Sequence, residues 1–179
     1  MSKKLPAAYA WLNEVEGLPR MVSEALKLYG TLEQPGKGNN PVIMGWAREV
    51  GLERMYSADS VPWCGLFMAV VAKRAAKPIP DRPLWAMHWR RFGEPSPTPG
   101  LGDVLVFHRA GGGGHVGLYV GEDSRAYHVL GGNTRDDVSI ARLARERFAA
   151  ARRPAYRNAP AGVRPYQLAQ DGDLSVNEE

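Results

Sequence analysis

Two side chains in this sequence stand where their type and surroundings suit nucleophilic chemistry. The single cysteine, Cys64, follows Pro62 and Trp63 and leads into Gly65-Leu66-Phe67-Met68-Ala69-Val70-Val71-Ala72, a run apolar nearly all round, as in a buried helix. A thiol in the first turn of such a helix meets unpaired backbone N–H groups and the positive end of the helix dipole, which favour the nucleophilic thiolate. Gly65 removes bulk beside the sulfur, so that a carbonyl can approach, and the Cys64 amide can donate to a developing oxyanion. A cysteine taken alone is more often a small buried hydrophobe; the second motif argues against that reading.

Four consecutive glycines, Gly111 to Gly114, deliver His115 onto the pattern Val116-Gly117-Leu118-Tyr119-Val120-Gly121. Strand alternation sends His115, Gly117 and Tyr119 to one face and Val116, Leu118 and Val120 to the other. The apolar set is then buried, and His115 is expected to face a cleft lined by Gly114, Gly117 and Tyr119. Cys64 and His115 are the expected nucleophile and base. Such a pair needs a third group on the other ring nitrogen. The next pattern, Ala126-Tyr127-His128-Val129-Leu130-Gly131-Gly132-Asn133, supplies Asn133, after two glycines that permit unusual backbone geometry. His128 is the rival for that role and otherwise a cleft residue. Asp59, five residues before Cys64, either lines the cleft or caps the helix, and Trp63 and Trp85 either wall the groove or belong to the core.

The elements that must position these groups are legible in the periodicities. Leu18, Met21, Val22, Ala25, Leu26 and Tyr29 recur at threes and fours with Gly30 as a stop; Val42, Ile43, Trp46, Ala47 and Val50 form a second amphipathic stretch ended by Gly51. The buried helix falls within 59–76. A Pro- and Trp-rich connection over 78–102 carries one short helix at 85–92, and such a connection often borders a cleft. After Gly102 the period changes to strands at 103–108, 115–121, 125–130, 138–140 and 152–157, joined by short turns into an antiparallel sheet. Helices first and a sheet afterwards predict an α+β fold in one domain over 1–157, with a loose tail over 158–179.

Composition sets the class. An apolar fraction of 44% and a charged fraction of 23% are those of a soluble globular chain, and one cysteine excludes an internal disulfide. No apolar stretch has the length of a signal peptide or membrane span, so the chain is expected to be made in the cytoplasm. The net charge of +4 suits an anionic envelope or nucleic acid equally. Most of the excess lies at Arg142, Arg145, Arg147, Arg152, Arg153 and Arg157, expected as a solvated face.

At its three motifs the sequence resembles the NlpC/P60 and CHAP superfamily of papain-like peptidoglycan hydrolases. It most closely resembles an endolysin-like subgroup from phages and prophages, through Tyr29 to Gly36, Asn40-Pro41-Val42-Ile43, Asp59 to Phe67, Gly102-Asp103-Val104, His115-Val116-Gly117 and Gly131-Gly132-Asn133. The resemblance spans roughly residues 7 to 157. It implies a papain-like fold with N-terminal helices on a central antiparallel sheet of about five strands. It also implies a cysteine peptidase or amidase acting on peptidoglycan, with Cys64 as nucleophile, His115 as base and Asn133 as orienter. The subgroup commonly has Gln after Gly-Gly-Asn, where this chain has Thr134. The implied partner is the peptidoglycan stem peptide, bound by a monomer with no cofactor, no metal and no obligatory nucleic acid. Without an export signal, access to the wall is expected through a holin-like pore or delivery in a virion.

Three other readings remain at this level. A papain-like acyl hydrolase or acyltransferase can use the same Cys and His on a different carbonyl. A basic binding module or phage-tail structural protein needs neither. A metal site from Cys64, His108, His115 and His128 is weak, because structural zinc sites use tightly spaced pairs and 51 residues separate Cys64 from His115.

Overall fold

The computed structural model describes residues 3–176. Three α-helices come first: α1 (Arg20–Lys27), α2 (Pro41–Glu49) and α3 (Cys64–Arg74). Six strands follow, β1 (Glu94–Pro95), β2 (Val104–His108), β3 (Gly114–Glu122), β4 (Ala126–Thr134), β5 (Asp137–Ala144) and β6 (Phe148–Arg153). They form one antiparallel sheet in the order β1-β6-β2-β3-β4-β5. The fold is α+β, with one short edge strand more than the five the periodicity indicates, and the last of those five, expected at 152–157, runs instead over Phe148–Arg153. β1 is only two residues long, too short to leave a periodicity.

Each helix lies where its pattern places it, and the local chemistry accounts for the ends. Pro41 opens α2, and Asn40 accepts the Val42 N–H at 2.8 Å as a side-chain cap. The helix α3 is buried from Cys64 through Ala72 and has no side-chain cap at its N-terminus. It packs on the sheet face formed by Val104, Val106, Val116, Leu118, Val120 and Leu130. A Leu66→Ala change there is expected to cost about 2–5 kcal/mol. Two 3₁₀ segments, Ala7–Glu14 and Ala86–Arg91, complete the helical side.

The opposite sheet face is also closed. Leu105, Phe107, Tyr119, Tyr127, Val129 and Leu143 form a second apolar cluster, with Phe107, Tyr127 and Phe148 in ring contact. Alternation therefore separates two cores, where the sequence reading expects one core and one open face.

The region beyond residue 158 departs from the expected loose tail. Gln167 bridges to Glu122 and Leu174 to Arg142, Tyr166 stacks on Trp11 with ring centroids 4.7 Å apart, and Leu168 fills the space beside Gly121. Residues 177–179 lie outside the described part.

The arginines form no uniformly solvated face. Arg142 is only 8% exposed and bonds Asp123 at 2.8 Å; Arg145 bonds Glu122 and the Asp123 carbonyl. Arg152 donates to the Phe92 and Gly93 carbonyls, and Arg153 clamps Asp103 through two nitrogens at 3.0 and 2.8 Å. Planar guanidinium groups suit such multi-point contacts. Asp103, one residue before β2, also takes the Ser96 hydroxyl and the Gly100 N–H, so it ties the 94–103 connection to β6.

Candidate active site

Cys64 is the first residue of α3. Its sulfur faces three backbone N–H groups: its own, that of Gly65, and that of Val116 on β3. With no side chain capping α3, the sulfur itself takes up donors of the first turn. Burial nevertheless wins. It pushes the thiol up, and the three N–H groups and the charge of Arg109, which act the other way, do not overcome it. The expected dipole-stabilised thiolate is opposed by burial: the residue is 4% exposed, which favours the protonated thiol.

His115 precedes Val116, so the sulfur is anchored to the residue next to the imidazole. The ring is buried at 1% exposure and lies on β4: a Cβ placed on Gly131 would stand 3.0 Å from His115 Nε2. Gly131 is thus the space the ring occupies. Gly132 does something else, since a Cβ there would meet the Phe67 Cβ at 2.6 Å and the Trp63 ring at 2.7 Å. The unusual backbone expected of these glycines falls instead on Asn133, whose φ is +59°, at the register shift between β4 and β5. Asn133 is buried, and its Nδ2 has no hydrogen-bond partner.

The chain itself crosses beside both groups. A Cβ on Gly65 would lie 2.2 Å from the Pro83 carbonyl oxygen, and one on Gly114 would lie 2.7 Å from Met87 Sδ. Gly65 and Gly114 therefore admit the 83–87 segment, not a ligand. Trp89, fully buried, holds that segment by donating from Nε1 to the Pro83 carbonyl at 2.9 Å. On the other side the space is open: at Gly111, Gly112 and Gly113 a Cβ would meet nothing within 4 Å.

Several expected cleft residues have other work. Asp59 neither caps α3 nor lines a groove; its Oδ2 accepts the Gln34 and Asn40 N–H groups at 2.9 and 2.7 Å, and its N–H donates to Asn39 Oδ1 at 2.9 Å. It pins the 33–40 loop. Trp63 is wholly buried and donates to Glu33 Oε2 at 3.1 Å, so it supports the site from behind. Gly117 faces the Val129 side chain at 2.6 Å from a Cβ position, and Tyr119 is core.

His128 is occupied. Its Nε2 contacts Asp123 Oδ2 at 2.8 Å and its Nδ1 contacts the Tyr9 hydroxyl at 2.7 Å. An ionised carboxylate only accepts, so Nε2 carries the proton and Nδ1 accepts from Tyr9. Burial keeps the Tyr9 phenol protonated, pushing it up to about 12. Burial also lowers His128 against the opposing pull of Asp123. Burial alone would raise Asp123, but Arg142, the Arg125 N–H and His128 hold it far below the usual carboxylate range. This is a structural network, and His128 does not serve as orienter for His115. Among the described residues no group of three or more His, Cys, Asp or Glu is placed to hold a metal ion.

No protein-family model and no curated protein matches this chain. What the site can do therefore rests on its own geometry. Sequence reasoning missed Val116, whose contribution is a backbone N–H, and the 83–87 segment, whose contact depends on tertiary packing. Arg109 was visible just before the glycine run, without a signal for its target. Among the described residues, no helix is long and apolar enough to cross a membrane.

Proposed function

We propose that this protein is a cysteine hydrolase that cleaves an amide bond in bacterial peptidoglycan. The observation that carries the catalytic reading is the Cys64 sulfur at the head of α3, in hydrogen-bonding contact with the backbone of Val116, the residue after His115. The choice of substrate comes from the resemblance of the motifs to NlpC/P60 and CHAP hydrolases.

In this mechanism His115 takes the thiol proton as the sulfur attacks the amide carbon. The C=O π electrons move to oxygen, and the oxyanion is met by N–H groups at the start of α3. Collapse expels the amine, which leaves with the proton held by His115, and an acyl-thioester remains on Cys64. Water, deprotonated by His115, then releases the acid and restores the thiol. Asn133 orients the imidazolium through its side-chain amide.

Digestion of purified peptidoglycan with mass analysis of the fragments tests this. New fragments from wild type, and none from Cys64→Ala or His115→Ala, are expected; equal release by all three proteins would overturn the assignment.

A further inference from the structure

We propose that Trp85 is a stacking platform for a sugar ring of the glycan strand, placed on the lip of the Cys64–His115 site. The choice of glycan rests on the peptidoglycan reading above; the platform itself rests on geometry.

Trp85 is 65% exposed, whereas Trp46, Trp63 and Trp89 are buried. An indole carries a large apolar face, and at Trp85 that face is open to solvent on a segment whose backbone is anchored. Its position gives the second observation. Leu84, the preceding residue, puts its carbonyl carbon and oxygen 2.9 Å from a Cβ position on Gly65, next to Cys64. Met87, two residues later, seats its sulfur against Gly114, next to His115. Trp85 therefore stands between the two points where the 83–87 segment touches the neighbours of nucleophile and base.

The backbone beneath the platform is pinned. The Trp85 N–H donates to Arg82 O at 3.1 Å, the Trp85 carbonyl accepts from the His88 N–H at 2.9 Å, and Trp89 fastens Pro83 from below. A preorganised surface spends little entropy on ordering when a ligand arrives.

Chemistry selects the ligand. A pyranose ring presents a flat face of C–H groups that complements the negative face of an indole. Stem peptides are built of small and charged residues, which offer no matching flat surface. A sugar on Trp85 would leave its attached peptide beside the neighbours of Cys64 and His115, and the glycine run before His115 is open, since Cβ atoms at Gly111, Gly112 and Gly113 would meet no other part of the chain within 4 Å.

The test uses the full chain carrying Cys64→Ala, titrated calorimetrically with a soluble β-1,4-linked N-acetylglucosamine oligomer and, separately, with a free stem peptide. Adding Trp85→Ala is expected to weaken oligomer binding by about twofold to tenfold, with Trp85→Phe recovering most of it. Unaltered thermal melting of both variants keeps the comparison free of unfolding. Oligomer affinity unchanged by Trp85→Ala, or no oligomer binding at all, overturns the proposal; so does a loss confined to the stem peptide, which would make Trp85 a peptide subsite. If instead the Trp85 dependence holds while the protein with Cys64 intact cuts no peptidoglycan, the hydrolase reading fails and the platform stands.

Discussion

The Cys64 sulfur lies at the backbone N–H of Val116, so helix α3 and strand β3 meet at the one thiol in the chain. Burial at that junction favours the protonated thiol, against the opposing effect of three N–H groups and the Arg109 charge. Labelling by a thiol-reactive aromatic disulfide is therefore expected to be slower in the native protein than in urea by on the order of tenfold or more at neutral pH, and to accelerate as pH rises. Equal rates in the two states would mean the sulfur is not shielded.

If the proposed hydrolase reading holds, neighbouring glycines on β4 separate turnover from stability. Gly131→Ala puts a methyl 3.0 Å from His115 Nε2, and a displaced imidazole is expected to lower turnover by up to about a hundredfold. Gly132→Ala pushes on Phe67 and Trp63 instead, with an expected loss of about 1–3 kcal/mol. Fragment-release kinetics and urea melts on the same two variants check both outcomes.

Acid should destabilise the fold through the Tyr9–His128–Asp123–Arg142 network. His128 is lowered in the folded state, so its contribution is present above the ordinary imidazole range and is lost as pH falls below it. Asp123 is lowered too, and its contribution is lost only further down, as the carboxylate protonates. Melting temperature is expected to fall first below pH 6.5 and again in the carboxylate range. Asp123→Ala leaves Arg142 buried without its counter-ion, at a cost of about 3–5 kcal/mol, and should remove most of the lower step. A wild-type melting temperature flat from pH 7 to pH 4 contradicts the assignment.

Asp59 acts on the 33–40 loop. Asp59→Ala takes the acceptor from the partly exposed Gln34 and Asn40 N–H groups and is expected to cost about 0.5–1.5 kcal/mol. Hydrogen exchange should show protection lost at residues 34 and 40 while α3 stays protected; uniform loss across α3 would instead make Asp59 a determinant of the helix.

The amino-acid order alone determined the α+β class, the three helices and the central strands, because apolar spacing and Gly or Pro stops act over one turn or one strand. It also determined that Cys64 opens a buried helix and that His115 lies near the start of a strand. Tertiary structure decided which polar groups meet. Residue types show that Asp59, His128 and Arg142 can bond, but their partners lie 19 to 25, 5 and 119, and 19 and 30 residues away, and no local periodicity encodes such pairings. The expected open face of β3 failed for a similar reason. Alternation separates Tyr119 from Val120, but only the packing of Phe107, Tyr127 and Val129 beside Tyr119 buries both sides. The roles of Gly131 and Gly132 were decided by which side chain came to rest against each, since a glycine in the chain shows only that something must come close.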